Sequence, residues 1–152
     1  MTTALSVFVG GPPVPAARPR FDSRTRRTYT PSNYERYKHD LSLILASRWK
    51  GRAPITRAVS VAVEVTLPRP QSKPARGSLH REYWTPEGVY PLPCRGDVDN
   101  YAKSALDALT QGGVIKDDRL VVELSVTKWA GDRPGLDIRV DIVHPEAPDL
   151  IP

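Results

Sequence analysis

The chain alternates between stretches of clear periodicity and stretches with none. Residues 4–9 (ALSVFV) read as a strand, closed by Gly10-Gly11-Pro12-Pro13. A Pro- and Arg-rich run without period follows to Thr30, and it reads as a loop, ordered or mobile. Thr30-Pro31 predicts a helix start, with Thr30 as the cap and Pro31 at the first helical position. Tyr34, Tyr37, Leu41, Leu45 and Trp49 then share one helical stripe, which Gly51 ends. That stripe is expected to be core. Residues 59–67 alternate strictly, with Val59, Val61, Val63, Val65 and Leu67 on one side, as in a strand with one buried face.

Residues 68–95 break the order. They hold six prolines and no period, and predict a long loop of the kind that is usually functional or disordered. A second helix is expected from about Val98 to Thr110, with Ala102, Ala105, Leu106 and Leu109 on its apolar side and Gly112-Gly113 as its stop. Strands at 119–128 and 135–143 complete the series, split by the turn Gly131-Asp132-Arg133-Pro134-Gly135. The order β-α-β-α-β-β predicts a single α+β domain over residues 1–152, a mixed sheet with two main helices packed on it. A chain of 152 residues buries roughly 70% of its unfolded surface, enough for a core without covalent staples.

Composition narrows the setting. The one cysteine, Cys94, excludes an internal disulfide and a Cys-rich zinc site, as expected of a reducing, cytoplasmic compartment. No apolar run approaches a membrane span, and the N-terminus lacks the basic and apolar regions of a signal peptide, so no membrane partner is expected. Charge is uneven. Residues 1–57 hold eleven Lys/Arg against three Asp/Glu, whereas residues 96–152 hold six against eleven. A basic arm beside an acidic cluster points to a polyanion held next to a metal site. Arg18, Arg20, Arg24, Arg26 and Arg27 are the candidate phosphate contacts, with solvated loop charge as the alternative for each.

The candidate chemistry lies in Gly96-Asp97-Val98-Asp99-Asn100-Tyr101-Ala102-Lys103, then Asp107-Ala108-Leu109, then Asp117-Asp118. Asp97 and Asp99 fall at a helix start, where backbone N–H groups and the dipole favour anions. A glycine turn is expected to fold Asp118 back towards them. Three converging carboxylates repel unless a cation neutralises them, and Mg²⁺ with oxygen ligands suits such a site. Lys103 lies one turn after Asp99 and is placed to act as a cationic clamp on phosphate. Each residue also has an ordinary reading: an aspartate at a helix start commonly caps it, and Lys103 can pair with Asp99 or Asp107. The conjunction favours the metal site.

This set, DVDNYAK followed by DAL and a downstream DD, resembles the RusA family of Holliday junction resolvases, as does the early VFVGGPPVPAARPRF. The likeness spans about residues 5–143. It implies a RusA-like fold and a homodimeric endonuclease that uses Mg²⁺, with Mn²⁺ able to substitute. Its substrate would be branched DNA, a four-way junction cut by paired symmetric nicks in recombination and repair. It also implies a bacterial or phage source, and essential roles for Asp97, Asp99, Asp118 and Lys103. Two other readings remain beside it: a metal-dependent nuclease preferring flaps, forks or duplex, and a non-catalytic protein that grips branched DNA. Tyr83 and Trp84 could stack on bases or cover the core. His39, His80 and His144 lack zinc-site spacing, and Glu123 reads as a solvated strand position.

Overall fold

A computed structural model describes residues 1–145; the last stretch of the expected single domain, residues 146–152, lies outside the described residues. The elements run β1 (Thr2–Gly10), β2 (Arg20–Asp22), β3 (Arg27–Tyr29), α1 (Ser32–Trp49), β4 (Val59–Pro68), β5 (Tyr90–Pro91), α2 (Val98–Gln111), β6 (Val121–Gly131) and β7 (Gly135–Ile142). A single 3₁₀ turn, Asp118–Leu120, precedes β6. Five strands form one mixed sheet in the order β1-β7-β4-β6-β5, and β2 with β3 forms a separate hairpin. The α+β class with two main helices is therefore as the periodicity predicts.

Topology places the helix of interest. β4 and β6 are parallel neighbours, so the chain between them must cross over, and α2 makes that crossing. β7 returns antiparallel between β4 and β1. Val59, Val61, Val63 and Val65 from β4 and Leu136, Ile138 and Val140 from β7 are all buried. Leu41, Leu45 and Trp49 of α1 and Ala105, Ala108 and Leu109 of α2 complete the same core. Each fully buried side chain of this size contributes roughly 1.5–3 kcal/mol. The opposite face of the sheet carries Ser6, Ala62, Glu64, Thr127, Asp137 and Arg139 and stays open to solvent.

The helices approach closely. A Cβ on Gly112 would stand 2.7 Å from the carbonyl oxygen of Ser42 in α1, so glycine here does more than end a helix. At the start of α1, Pro31 takes the cap position without a side-chain bond, and Thr30 lies outside the helix. The expected Thr30 cap is thus corrected by one residue, because Pro31 sits at φ −52°, ψ 133°, still extended. At the other end Lys50 itself adopts the left-handed conformation, ahead of Gly51. No helix among the described residues is long and apolar enough to cross a membrane.

The long loop of residues 68–95 is tied down rather than free. Arg81 donates to the carbonyl of Pro74 at 2.7 Å, Trp84 Nε1 to Pro70 at 3.3 Å and Arg95 to Pro68 at 2.9 Å. Arg69 pairs with Asp132 at 3.3 Å and also donates to the Gly88 carbonyl. A guanidinium offers several donors in a fixed fork, which suits stitching carbonyls of a loop and of a strand end such as Pro68.

Candidate active site

The loop before α2 is shaped by backbone rather than by packing. Arg95 and Gly96 both have positive φ, 63° and 95°. Tyr101 donates its hydroxyl to the Arg95 carbonyl at 2.7 Å. Lys128, reaching in from β6, donates to the Cys94 carbonyl at 2.8 Å and to the Gly96 carbonyl as well. Burial pushes the Tyr101 hydroxyl up, so it stays a donor. Two side chains from different elements therefore fix the turn that delivers Asp97.

Asp97 occupies the N-cap position of α2, yet its carboxylate makes no cap hydrogen bond. Asp99 lies exposed in the first turn. Neither forms an ion pair among the described residues. The ordinary capping role is thus not what engages Asp97, and the helix dipole favours both charges. Lys103 is 63% exposed and meets Asp107 at 3.7 Å, a solvated i,i+4 pair worth only a few tenths of a kcal/mol. Such a pair gives way easily to a phosphate. Asp107 is held from its other side by the Tyr34 hydroxyl at 2.7 Å. Burial, and then the hydrogen bond to Asp107, push the Tyr34 hydroxyl well up.

The downstream aspartates divide. Asp117 caps the 3₁₀ turn through the Arg119 backbone N–H at 2.8 Å and pairs with the Arg119 guanidinium at 2.9 Å. Those Arg119 hydrogen bonds lower its carboxyl to about 2. Asp118 is exposed and forms no ion pair among the described residues.

Of the three expected metal carboxylates, Asp97 and Asp118 line different clefts and Asp99 lines neither of these two. Asp97 lines a cleft with Tyr83, Pro93, Gly96 and Lys128. Asp118 lines another with Lys38, Asp107, Thr110 and Asp117, beside the far end of α2. Asp99 and Asp107 are eight residues apart on one helix face, about 12 Å along the axis. No group of three or more His, Cys, Asp or Glu side chains among the described residues is spaced to hold a metal ion within one chain. Asp99, Lys103 and Asp107 recur every four residues along α2, and Asp107 lines the cleft that holds Asp118.

The five arginines Arg18, Arg20, Arg24, Arg26 and Arg27 are all exposed, and none forms an ion pair among the described residues. The run before them is fastened to α2: Ser104 donates its hydroxyl to the Val14 carbonyl at 2.7 Å, and Ala16 N–H donates to the Asn100 carbonyl at 2.9 Å. Trp84 packs against the core, while Tyr83 is 46% exposed at the Asp97 cleft. Glu123 is exposed on β6. His80 faces the Cys94 thiol at 3.6 Å, and His144 bonds Thr2.

Sequence reasoning missed Lys128. A signal for it existed: Lys128 falls in phase with Leu124, Val126 and Ala130, on the side of β6 that continues the buried Val61, Val63 and Val65 of β4. A lysine in an inward register needs a partner, and the 94–96 carbonyls are that partner.

The family profile described as Endodeoxyribonuclease RusA matches residues 10–141. An uncharacterized protein of Bacillus subtilis strain 168, YqaN, is 31% identical over 134 residues, covering 87% of this chain and 92% of that protein. The crossover junction endodeoxyribonuclease RusA of Escherichia coli O139:H28 is 53% identical over a shorter stretch of 45 residues, 30% of this chain and 38% of that enzyme. With a profile match across most of its length, the chain belongs to the RusA endodeoxyribonuclease family.

Proposed function

We propose that this protein is a Mg²⁺-dependent endonuclease that resolves four-way DNA junctions by paired nicks, acting as a homodimer. The observation that carries the reading is the pair Asp97 and Asp99. Both carboxylates stand at the α2 N-terminus without a cap bond or ion pair, on the helix to which the arginine arm is fastened. Family membership supports the nuclease class, and the name of the Escherichia coli relative supports the junction substrate.

The donor set suits magnesium in kind. Mg²⁺ keeps several waters and takes one or two carboxylates with substrate phosphate oxygens, so a closed cage of three is not required. Asp97 and Asp99 are the first ligands in this reading. Asp118 joins them only if DNA or a second subunit draws the two clefts together. Bound there, the ion would supply a nucleophilic water at neutral pH and neutralise charge on the phosphate. This chain's own residues do the rest. The arginine arm holds the strand by its phosphates, and Lys103 leaves its solvated partner Asp107 to face the scissile phosphate. Lys128 and Tyr101 keep the Asp97 turn from shifting. A two-fold dimer would present one such site to each of two opposed strands of a roughly two-fold junction.

A synthetic four-way junction with Mg²⁺ tests this. Symmetric nicks are expected, and Asp99→Asn should lower their rate by more than ~100-fold, the upper cost of losing a partner one step further from a metal. Junction binding should survive the change. Asp118→Asn is a separate arm, and full activity there would remove Asp118 from the site. No cleavage across several junction sequences and metals would overturn the proposal. Faster cutting of flaps or duplex would replace its substrate.

A further inference from the structure

The stretch expected to be an irregular loop contains a hairpin. β2 and β3 pair Arg20 with Tyr29, Phe21 with Thr28 and Asp22 with Arg27. Asp22 shapes the turn, its carbonyl accepting Arg26 N–H at 2.8 Å and its carboxylate accepting Arg24 N–H at 2.9 Å. Side chains alternate across such a ribbon. Arg20, Arg27 and Tyr29 thus share one face, and Phe21 stands on the other with only Thr28 opposite it. Phe21 is 65% exposed and Tyr29 50%.

One exposed aromatic is ordinary on a protein surface. Here the surroundings are not. Arg20 and Arg27 stand on the face opposite Phe21, with Arg24 and Arg26 in the turn between the strands; all four are exposed and none is in an ion pair among the described residues. Cations that track phosphates beside an aromatic ring that can take a base face are the two halves of a surface for unstacked nucleic acid. The hairpin's position supplies the third point. Val14 and Ala16, just before it, are bonded to Ser104 and Asn100, which flank Lys103 and Asp99 on α2. The ribbon therefore starts from the helix that carries the candidate chemistry. A two-stranded ribbon of three residues a side is marginal by itself, so this anchoring gives it a fixed origin.

We propose that Phe21, carried on the β2–β3 hairpin, stacks on a base exposed at the branch point of the DNA and so selects branched over continuous duplex. The proposal rests on the nuclease reading above and names how that site recognises its substrate. In unbroken duplex both faces of every base are covered by neighbours, and the ring finds nothing to stack on. At a branch point that the bound protein holds open the stack is broken, and a base face can be exposed there at lower cost than within an arm. The arginines grip both kinds of DNA; Phe21 distinguishes them.

The test uses the full chain carrying Asp99→Asn, so that DNA is bound and not cut. A four-way junction is labelled with 2-aminopurine at the branch point or, as control, within an arm. Binding should change the fluorescence of the branch-point probe alone. Phe21→Ala should abolish that change and lower the junction-over-duplex affinity ratio about tenfold, the weight of one stacked base. Phe21→Trp should keep both. Because the ring is exposed, folding should be unaffected in either variant. An unchanged signal and ratio in Phe21→Ala would overturn the proposal, as would a drop in sedimentation mass, which would make Phe21 a protein contact. If the protein with Asp99 intact cuts junctions while Phe21→Ala in the Asp99→Asn background binds as its parent does, this inference fails alone. If the protein with Asp99 intact neither binds nor cuts junctions, the nuclease reading fails and takes it along.

Discussion

Single residues in this protein act mainly by fixing backbone near charge. Lys128 holds two carbonyls of the 94–96 turn from a half-buried strand position. Lys128→Met would leave those carbonyls without their charged donor, a loss of about 1.5–3 kcal/mol for a hydrogen bond to a charged group. Denaturant unfolding should read that loss, and junction cleavage should slow with it; unchanged stability would show that the turn holds itself. Asp117 makes a different prediction. Its carboxyl titrates at about 2 in the fold, held down by Arg119, against roughly 3.9 in an unfolded chain. A depressed acid stabilises the fold above its unfolded value and loses that contribution as pH falls through the folded one. The Arg119 contact should therefore persist at neutral pH and dissolve between about pH 4 and pH 2. Carboxyl ¹³C shifts will follow it, and Asp117→Asn should remove the titration. A midpoint near 4 would mean the contact does not form in solution.

At the scale of elements, the close crossing of α1 and α2 is a sharp constraint. Gly112→Ala forces a Cβ against the Ser42 carbonyl oxygen, and overpacking of this kind costs about 1–3 kcal/mol. For a chain of this size that lowers Tm by roughly 2–4 °C per kcal/mol. Calorimetry showing no decrease would mean that the helices separate freely. The helices and long strands were legible in the sequence because each buries one face against a common core, and burial writes a period into the residues. The β4 valines and the Ala102–Leu109 side of α2 are the clearest cases. The β2–β3 hairpin was not legible, since three exposed residues a side bury nothing and leave no period. β6 starts at Val121 rather than near residue 119 because Asp117 first caps a tight 3₁₀ turn. The aspartates themselves stood out by type and spacing. Their division between two clefts did not, because the distance from Asp118 to Asp97 depends on how the turn after α2 packs.

For the whole molecule, the separation of charge is the governing feature. The arm brings uncompensated arginines to one end of α2, whose exposed row then carries Asp99, Lys103 and Asp107. DNA affinity should consequently fall steeply with salt, with a log–log slope of about 0.9 for each phosphate neutralised. The triple change Arg24→Ala, Arg26→Ala, Arg27→Ala should flatten that slope by up to about 2.7. A titration of duplex binding against KCl measures both, and equal slopes would exclude the hairpin arginines from the footprint.

The solvent-facing side of the sheet has a practical consequence. None of the residues given a role above lies on it, and Thr127 stands there in register with Glu64 of β4. The chain's sole thiol is Cys94. Thr127→Cys in a Cys94→Ser background would therefore give one attachment point for a dye or a surface linker, and the protein could be watched opening and closing a junction, molecule by molecule, from behind.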